Sequence, residues 1–268
     1  MCDQCGCGAT AQHDPGAAAG GLRFTPLRQQ VDVVRGILDG NHRQAEHNRA
    51  HFDAHGIVAI NLMSSPGSGK TALLEATIPR LRERYRIAVV EGDLETDNDA
   101  RRIRAQGVPA VQITTGTACH LDAALVHDAL HALDLDRIDL LFIENIGNLV
   151  CPASFGLGQH RDVTLLSVTE GDDKPAKYPV MFRASDLVLI SKTDLLPHLP
   201  EFDPRRAQQA LADIGARASS LCVSVRDPGS LDPWLHWLER TMAEVRSAQH
   251  GSEAGRGTGA GHAHAHRG

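Results

Sequence analysis

The run Ser64-Ser65-Pro66-Gly67-Ser68-Gly69-Lys70-Thr71 holds the residue types needed to cradle phosphate groups. Glycines let the backbone curl so that successive N–H groups face one anion. In this pattern Ser65, Pro66, Gly67, Ser68 and Gly69 form the cradle and Lys70 reaches the terminal phosphates. The Thr71 hydroxyl is available to Mg²⁺. The usual pattern begins with Gly, and here that place is taken by Ser64. Such a loop works only between a buried strand and a helix. The apolar run Ile57–Met63 and the helical stretch Ala72–Arg84 supply both.

A nucleotide site also needs acidic groups to hold the metal and sense the terminal phosphate. Two acidic runs end predicted strands. In Glu91-Gly92-Asp93, Asp93 is placed over the carboxyl edge of the sheet, where it can ligate Mg²⁺. Glu144-Asn145-Ile146-Gly147 is similar to an Asp-x-x-Gly turn with Glu in place of Asp, and the Gly147 N–H is aimed at the γ-phosphate. Lys70, Asp93, Glu144 and Gly147 are thus the candidate catalytic residues. Ser191-Lys192-Thr193-Asp194 resembles the Asn-Lys-x-Asp signature of guanine-binding domains. The Asp194 carboxylate accepts from both N1–H and the 2-amino group of guanine, which adenine lacks. The Lys192 stem packs over the base, and Ser224 is a further expected contact.

Thiols and imidazoles form a second set. Six cysteines and fifteen histidines occur in 268 residues. In a reducing compartment, clustered cysteines read as metal ligands before disulfides. Cys2, Cys5 and Cys7 lie within six residues and can wrap one soft or borderline ion. Cys119-His120 is expected at the start of a helix capped by Thr117, where a thiol is acidified. Two adjacent ligands cannot close a site: Cys151 approaching from the loop after Glu144 completes it, or a second pair across a symmetric dimer, or Cys119 is only a small core residue. Cys222 lies in an apolar run and is expected in the core. His262, His264 and His266 alternate with Ala, a pattern suited to Ni²⁺ or Zn²⁺. His51 and His55 are one helical turn apart, and no role is assigned to them.

The elements that position these residues are legible as alternating strands and helices. Apolar runs at Ile57–Met63, Ile87–Glu91, Ala110–Ile113, Leu140–Glu144, Val163–Val168, Leu187–Ile190 and Leu221–Ser224 alternate with helical stretches at Ala72–Arg84, Asp97–Ala105, Ala118–Leu133 and Arg205–Gly215. A last helix is expected from Asp232 to about Arg246. This spells an α/β fold, a mostly parallel sheet with helices on both faces. Residues 1–22 read as a flexible Cys-rich arm and 23–55 as a helical extension, with Gly36 and Gly40 expected to weaken or break the helix. Residues 56–247 form the nucleotide domain and 248–268 a His-rich tail. Hydrophobic and charged contents of 42% and 22% suit a globular chain. A net charge of -6 argues against binding nucleic acid non-specifically. No apolar run approaches the ~20 residues of a membrane span, and the N-terminus lacks a signal-peptide pattern, so no membrane is implied and a cytoplasmic location is expected.

Taken together, Asn61–Thr71, Glu91–Asp93, Cys119–Asp122, Glu144–Pro152 and Ser167–Pro175 resemble the HypB-type hydrogenase nickel-incorporation GTPases. The resemblance implies a P-loop GTPase fold, GTP hydrolysis and homodimerisation in a class that includes the urease nickel accessory GTPase. It implies a tight nickel site at Cys2, Cys5 and Cys7, and a weaker nickel or zinc site at Cys119, His120 and Cys151 near the dimer interface. Implied partners are a small zinc-containing nickel accessory protein and the large subunit of nickel–iron hydrogenase. Ser191 departs from the family's common Asn. Storage of nickel or zinc with regulatory GTP binding, service to another nickel enzyme such as urease, and a small-molecule P-loop kinase stand as alternatives.

Overall fold

The computed structural model describes residues 27–93, 97–116 and 118–257. The chain divides into two compact units, residues 1–36 and 37–268. In the first, the described residues 27–36 are helical. They begin α1 (Leu27–Ala54), which runs without interruption through Gly36 and Gly40. The expected break is therefore absent. A helix tolerates an interior glycine at a cost of about 1 kcal/mol, and the length of α1 absorbs it.

The second unit continues with β1 (Val58–Ser64), α2 (Lys70–Leu81), β2 (Ile87–Asp93), α3 (Asn98–Arg104), β3 (Ala110–Thr114), α4 (Ala123–Leu130) and β4 (Leu140–Glu144). Then follow β5 (Arg161–Ser167), α5 (Lys174–Lys177), α6 (Pro179–Ala184), β6 (Leu187–Ser191), α7 (Pro204–Asp213), β7 (Ser219–Cys222) and α8 (Asp232–Gly257). The strands form one sheet in the order β3-β2-β4-β1-β5-β6-β7. Every pairing is parallel.

Burial explains the pattern of each strand. All seven residues of β1 are buried, as the central strand of a sheet covered on both faces requires. Alternate residues serve opposite layers. Val58, Ile60 and Leu62 pack with Leu73, Leu74 and Ile78 of α2 and Trp234 and Leu238 of α8. Ile57 and Ala59 pack with Phe52 of α1 and Val126 and Leu130 of α4. Trp234 is fully buried, and its indole N–H donates to Thr77 Oγ1 at 2.9 Å. At the edge, β7 has one neighbour, and Cys222 is exposed there. The expectation of a core Cys222 is thus wrong: an edge strand need bury only one face, which here takes Leu221.

The sheet places its two halves on either side of β1. The chain goes from β1 to β2 and β3, returns through β4, and then builds β5, β6 and β7 on the other side. Connections that diverge in this way open a crevice at the carboxyl ends of the central strands.

Candidate nucleotide and metal sites

The phosphate loop leaves β1 and enters α2 at that crevice. Gly67 and Gly69 have φ of 71° and 100°, a region that side chains strongly disfavour. Ser68 Oγ donates to Ser65 O at 2.9 Å, and Ser65 Oγ donates to Glu170 Oε2 at 2.5 Å. Ser64, in the place of the usual Gly, is fully buried, and its Oγ accepts from Lys70 Nζ at 2.9 Å. The substitution therefore sits behind the lysine and leaves the glycine-lined front open.

A cavity of about 350 Å³ adjoins the loop, lined among others by Lys70, Thr71, Glu91, Asp93, Glu144 and Gly147. Its acidic wall comes from strand register. Glu91 on β2 lies directly opposite Glu144 on β4, so both carboxyls share one face. They are 1% and 4% exposed. Burial raises the pKa of both; Glu91 is raised further by the adjacent Glu144 charge and by donating its proton to Glu144. Glu144 Oε1 accepts from Thr71 Oγ1 at 2.9 Å. Glu91 Oε2 and Glu144 Oε2 are buried with no hydrogen-bond partner. Two buried carboxyls with spare oxygens beside a hydroxyl are a donor set suited to a hard divalent cation. Thr71 donates a hydrogen bond to Glu144, which leaves its hydroxyl lone pairs for such an ion. Asp93, at the end of β2, lines the same cavity. Glu91 is not a candidate from the sequence, because nothing local to residues 91–93 reveals its partner on β4.

Gly147 packs against the phosphate loop itself. A Cβ added there falls 2.6 Å from Pro66 Cα, so only glycine fits without backbone movement.

A second cavity, of about 200 Å³, lies beyond Gly69. Its lining includes Leu165, Lys192, Asp194, Leu195, Val223 and Val225. Lys192 is the sole non-glycine residue with positive φ (59°) among those described. Its Nζ donates to Gly67 O at 2.6 Å, drawing its stem across the mouth. Asp194 Oδ1 accepts from Ser224 Oγ at 2.5 Å. Ser224 does not line the cavity. It is buried, and its hydroxyl holds the carboxylate of Asp194, which does line the cavity.

The structure brings Cys119, His120 and Cys151 together, with ligating atoms all within 4.8 Å of one another. Cys119 Sγ lies 3.2 Å from Cys151 Sγ and 3.6 Å from His120 Nδ1. One chain thus supplies all three. The hydrogen bond with Cys119, then burial, then the charge of that second sulfur raise the Cys151 pKa, a penalty on the thiolate that a shared cation removes. Burial lowers the His120 pKa and favours the neutral ligating ring, which packs on Phe155 with ring centroids 4.0 Å apart. Cys119 and His120 do not begin a helix. They lie in the loop before α4, whose N-cap is Asp122, accepting from Leu125 N at 2.8 Å. Thr117, the Cys2, Cys5 and Cys7 cluster, and His262, His264 and His266 lie outside the described residues.

The metal loop is bonded to the nucleotide site. Asn148 Nδ2 donates to Cys119 O at 3.2 Å. Asn145 Oδ1 accepts from Leu121 N at 3.1 Å and from Ile146 N at 3.0 Å. Gly92 lies so near Leu121 that a Cβ there would meet its side chain at 2.8 Å.

Comparison with known proteins identifies a family and several relatives. Residues 58–221 match the family described as "CobW/HypB/UreG, nucleotide-binding domain". The hydrogenase maturation factor HypB of Azotobacter vinelandii is 51% identical over 235 residues, covering 88% of this chain and 75% of that protein. The Escherichia coli K12 protein of the same name is 47% identical over 234 residues, 87% and 78% of the two chains. The crystal structure of HypB from Helicobacter pylori in complex with nickel superposes with a TM-score of 0.74 at 40% identity, covering 77% of this chain and 97% of that one.

Proposed function

Since the chain belongs to the CobW/HypB/UreG nucleotide-binding family, we propose that it is a nickel-carrying GTPase that serves the maturation of nickel–iron hydrogenase. The same proposal includes hydrolysis of GTP to GDP and phosphate by a homodimer in the cytoplasm. A small zinc-containing nickel accessory protein and the hydrogenase large subunit are its partners. The described residues include no helix long and apolar enough to cross a membrane.

GTP lies with its phosphates on the backbone of Ser65–Gly69 and its base in the pocket of Lys192 and Asp194. Lys70 neutralises the terminal phosphates and Gly147 N–H meets the γ-phosphate. Mg²⁺ fits the acidic wall, with Thr71 and Asp93 as ligands and Glu144 behind Thr71. When bound, it offsets the negative charge of the phosphates. Glu144 orients Thr71 by accepting a hydrogen bond from its hydroxyl. Nickel, the cargo, is held by Cys119, His120 and Cys151, where zinc competes for the same donors. Cys2, Cys5 and Cys7 are proposed as the tight nickel site, and His262, His264 and His266 as capture ligands.

The observation that carries the proposal is the continuity of residues 144–151. Gly147 abuts Pro66 of the phosphate loop, Asn148 bonds the Cys119 carbonyl, and Cys151 supplies a thiol. A γ-phosphate that draws Gly147 inward moves a nickel ligand on the same short segment. By linkage, nickel must then alter nucleotide affinity to the same degree. The test is nickel titration of nucleotide-free, GDP-bound and GTP-analogue-bound protein, with GTP turnover measured alongside. Nickel affinity is expected to change between the GDP and GTP-analogue states. Equal affinities in the two states sink the coupling, and absence of GTP turnover sinks the enzymatic reading.

A further inference from the structure

Three histidines away from both sites converge on one point. His47 and His51 are successive turns of α1, and His127 lies on α4. One ring nitrogen of each lies within 4.8 Å of the other two. The ring centroids are 4.5 Å apart for His47 and His51, 5.0 Å for His47 and His127, and 5.6 Å for His51 and His127. We infer that His47, His51 and His127 form a site for a borderline divalent cation, Zn²⁺ or Ni²⁺, separate from the Cys119–His120–Cys151 site.

The two helices are fixed before any ion arrives. Asn48, fully buried between the ligands, donates to Ala123 O at 2.7 Å and to Leu157 O at 3.0 Å. Asn41 Oδ1 accepts from Ala123 N at 2.8 Å. These bonds set the register of α1 against the start of α4, so the imidazoles meet on a rigid frame. Zinc–nitrogen bonds of about 2.0–2.1 Å place tetrahedral ligands ~3.4 Å apart, so the three nitrogens must draw in from the separations of up to 4.8 Å seen here. The Gln44 amide lies 3.3 Å from His47 Nδ1. The same amide nitrogen donates to Asn48 Oδ1 at 3.3 Å, which ties Gln44 into the bonds that hold the two helices.

The surroundings favour neutral rings. His127 is 7% exposed. Burial first, then the neighbouring histidines, lowers the pKa of both His51 and His127. The groups acting on the cluster are His55, just past the end of α1, Asp128 on α4, and His131, the C-cap of α4. His131 stands one turn beyond His127, with centroids 4.8 Å apart, and its ring or a water completes the coordination. An all-imidazole set without sulfur selects Zn²⁺, Ni²⁺ or Cu²⁺ over the cuprous ion.

The test uses the full chain with Cys2, Cys5, Cys7, Cys119 and Cys151 changed to Ser and His262, His264 and His266 changed to Ala. Equilibrium dialysis against Zn²⁺ and Ni²⁺ is expected to retain one ion per chain. Adding His51→Gln or His127→Gln is expected to weaken retention at least tenfold. X-ray absorption of the retained ion is expected to report imidazole nitrogens without sulfur. GTP-analogue binding checks the fold of each variant. Where His127→Gln fails that check, the half-buried His51→Gln decides. No retained ion in the eight-substitution chain, or an affinity indifferent to His51→Gln, overturns the site.

Discussion

Ser191 Oγ donates a 2.8 Å hydrogen bond to the carbonyl of Ser68, tying the base-binding loop to the phosphate loop. Both residues are buried. The short Ser191 side chain thus makes a link across the two loops. Ser191→Ala removes the donor and leaves a buried carbonyl to be satisfied elsewhere. Such a loss costs about 1 kcal/mol, or roughly fivefold in nucleotide affinity. Calorimetric titration with GDP is expected to read that decrease, with Ser191→Asn close to the parent. An unchanged affinity in Ser191→Ala makes the link irrelevant to binding.

Asp194 is expected to decide the base. Its carboxylate, held by Ser224 and approached by Arg226 Nε at 3.9 Å, accepts from two guanine donors. Asp194→Asn replaces an acceptor by a donor and opposes the 2-amino group. GTP affinity is expected to fall at least a hundredfold, since charge-assisted bonds contribute about 1.5–3 kcal/mol each. Xanthosine triphosphate, with a carbonyl in place of the amine, is expected to gain affinity. Competition between the two nucleotides on the variant reads the swap directly, and a retained preference for GTP refutes the assignment.

Gly147 is expected to tolerate no side chain. Gly147→Ala forces a methyl group to within 2.6 Å of Pro66 Cα, and backbone on one side must move. GTP turnover is expected to drop at least tenfold, and the nickel affinities of the GDP and GTP-analogue states to become equal. Turnover and nickel titration on the same preparation check both. Parental behaviour shows that Gly147 is not the connection.

His160 makes stability depend on pH. Ala59 N–H donates to its Nδ1 at 3.0 Å, and its Nε2 lies 3.0 Å from Asp53 Oδ1. The neutral Nε2–H ring satisfies both contacts, whereas a proton on Nδ1 breaks the first. Burial, then the Arg49 charge, lowers its pKa to about 4. Unfolded chains protonate histidine near ~6.5. The unfolded state therefore binds the extra proton first, so this contribution is present above ~6.5 and is lost as pH falls toward 4. Asp162 works in the opposite sense: burial raises it to about 6, so its contribution is lost as pH rises through that value. The two partly cancel in the parent. The stability advantage of the parent over His160→Gln is expected to shrink by up to about 3 kcal/mol between pH 7 and pH 4. Urea unfolding of both proteins across that range isolates it, and a constant difference removes His160 as the cause.

The phosphate loop was readable because its conformation is local. Gly67 and Gly69 occupy left-handed backbone that glycine favours, and Lys70 and Thr71 follow at the first helical positions. The strands were readable for a similar reason, since runs such as Val58–Met63 are apolar enough to be buried on both sides. Errors arose where a residue's setting depended on distant chain. Cys222 looked interior until β7 proved to be an edge, and Cys119 looked like a helix start until Asp122 took the cap.

The amino-acid order by itself determined the phosphate cradle, the guanine-reading run, the alternating elements and the thiol-bearing segments, because each is set by residues within a few positions of one another. Only tertiary structure decided that Glu91 faces Glu144, that Cys151 reaches Cys119, and that His127 joins His47 and His51. Those meetings follow from strand register and helix docking. Both are set by the burial of whole faces at once, so no short stretch of sequence contains them.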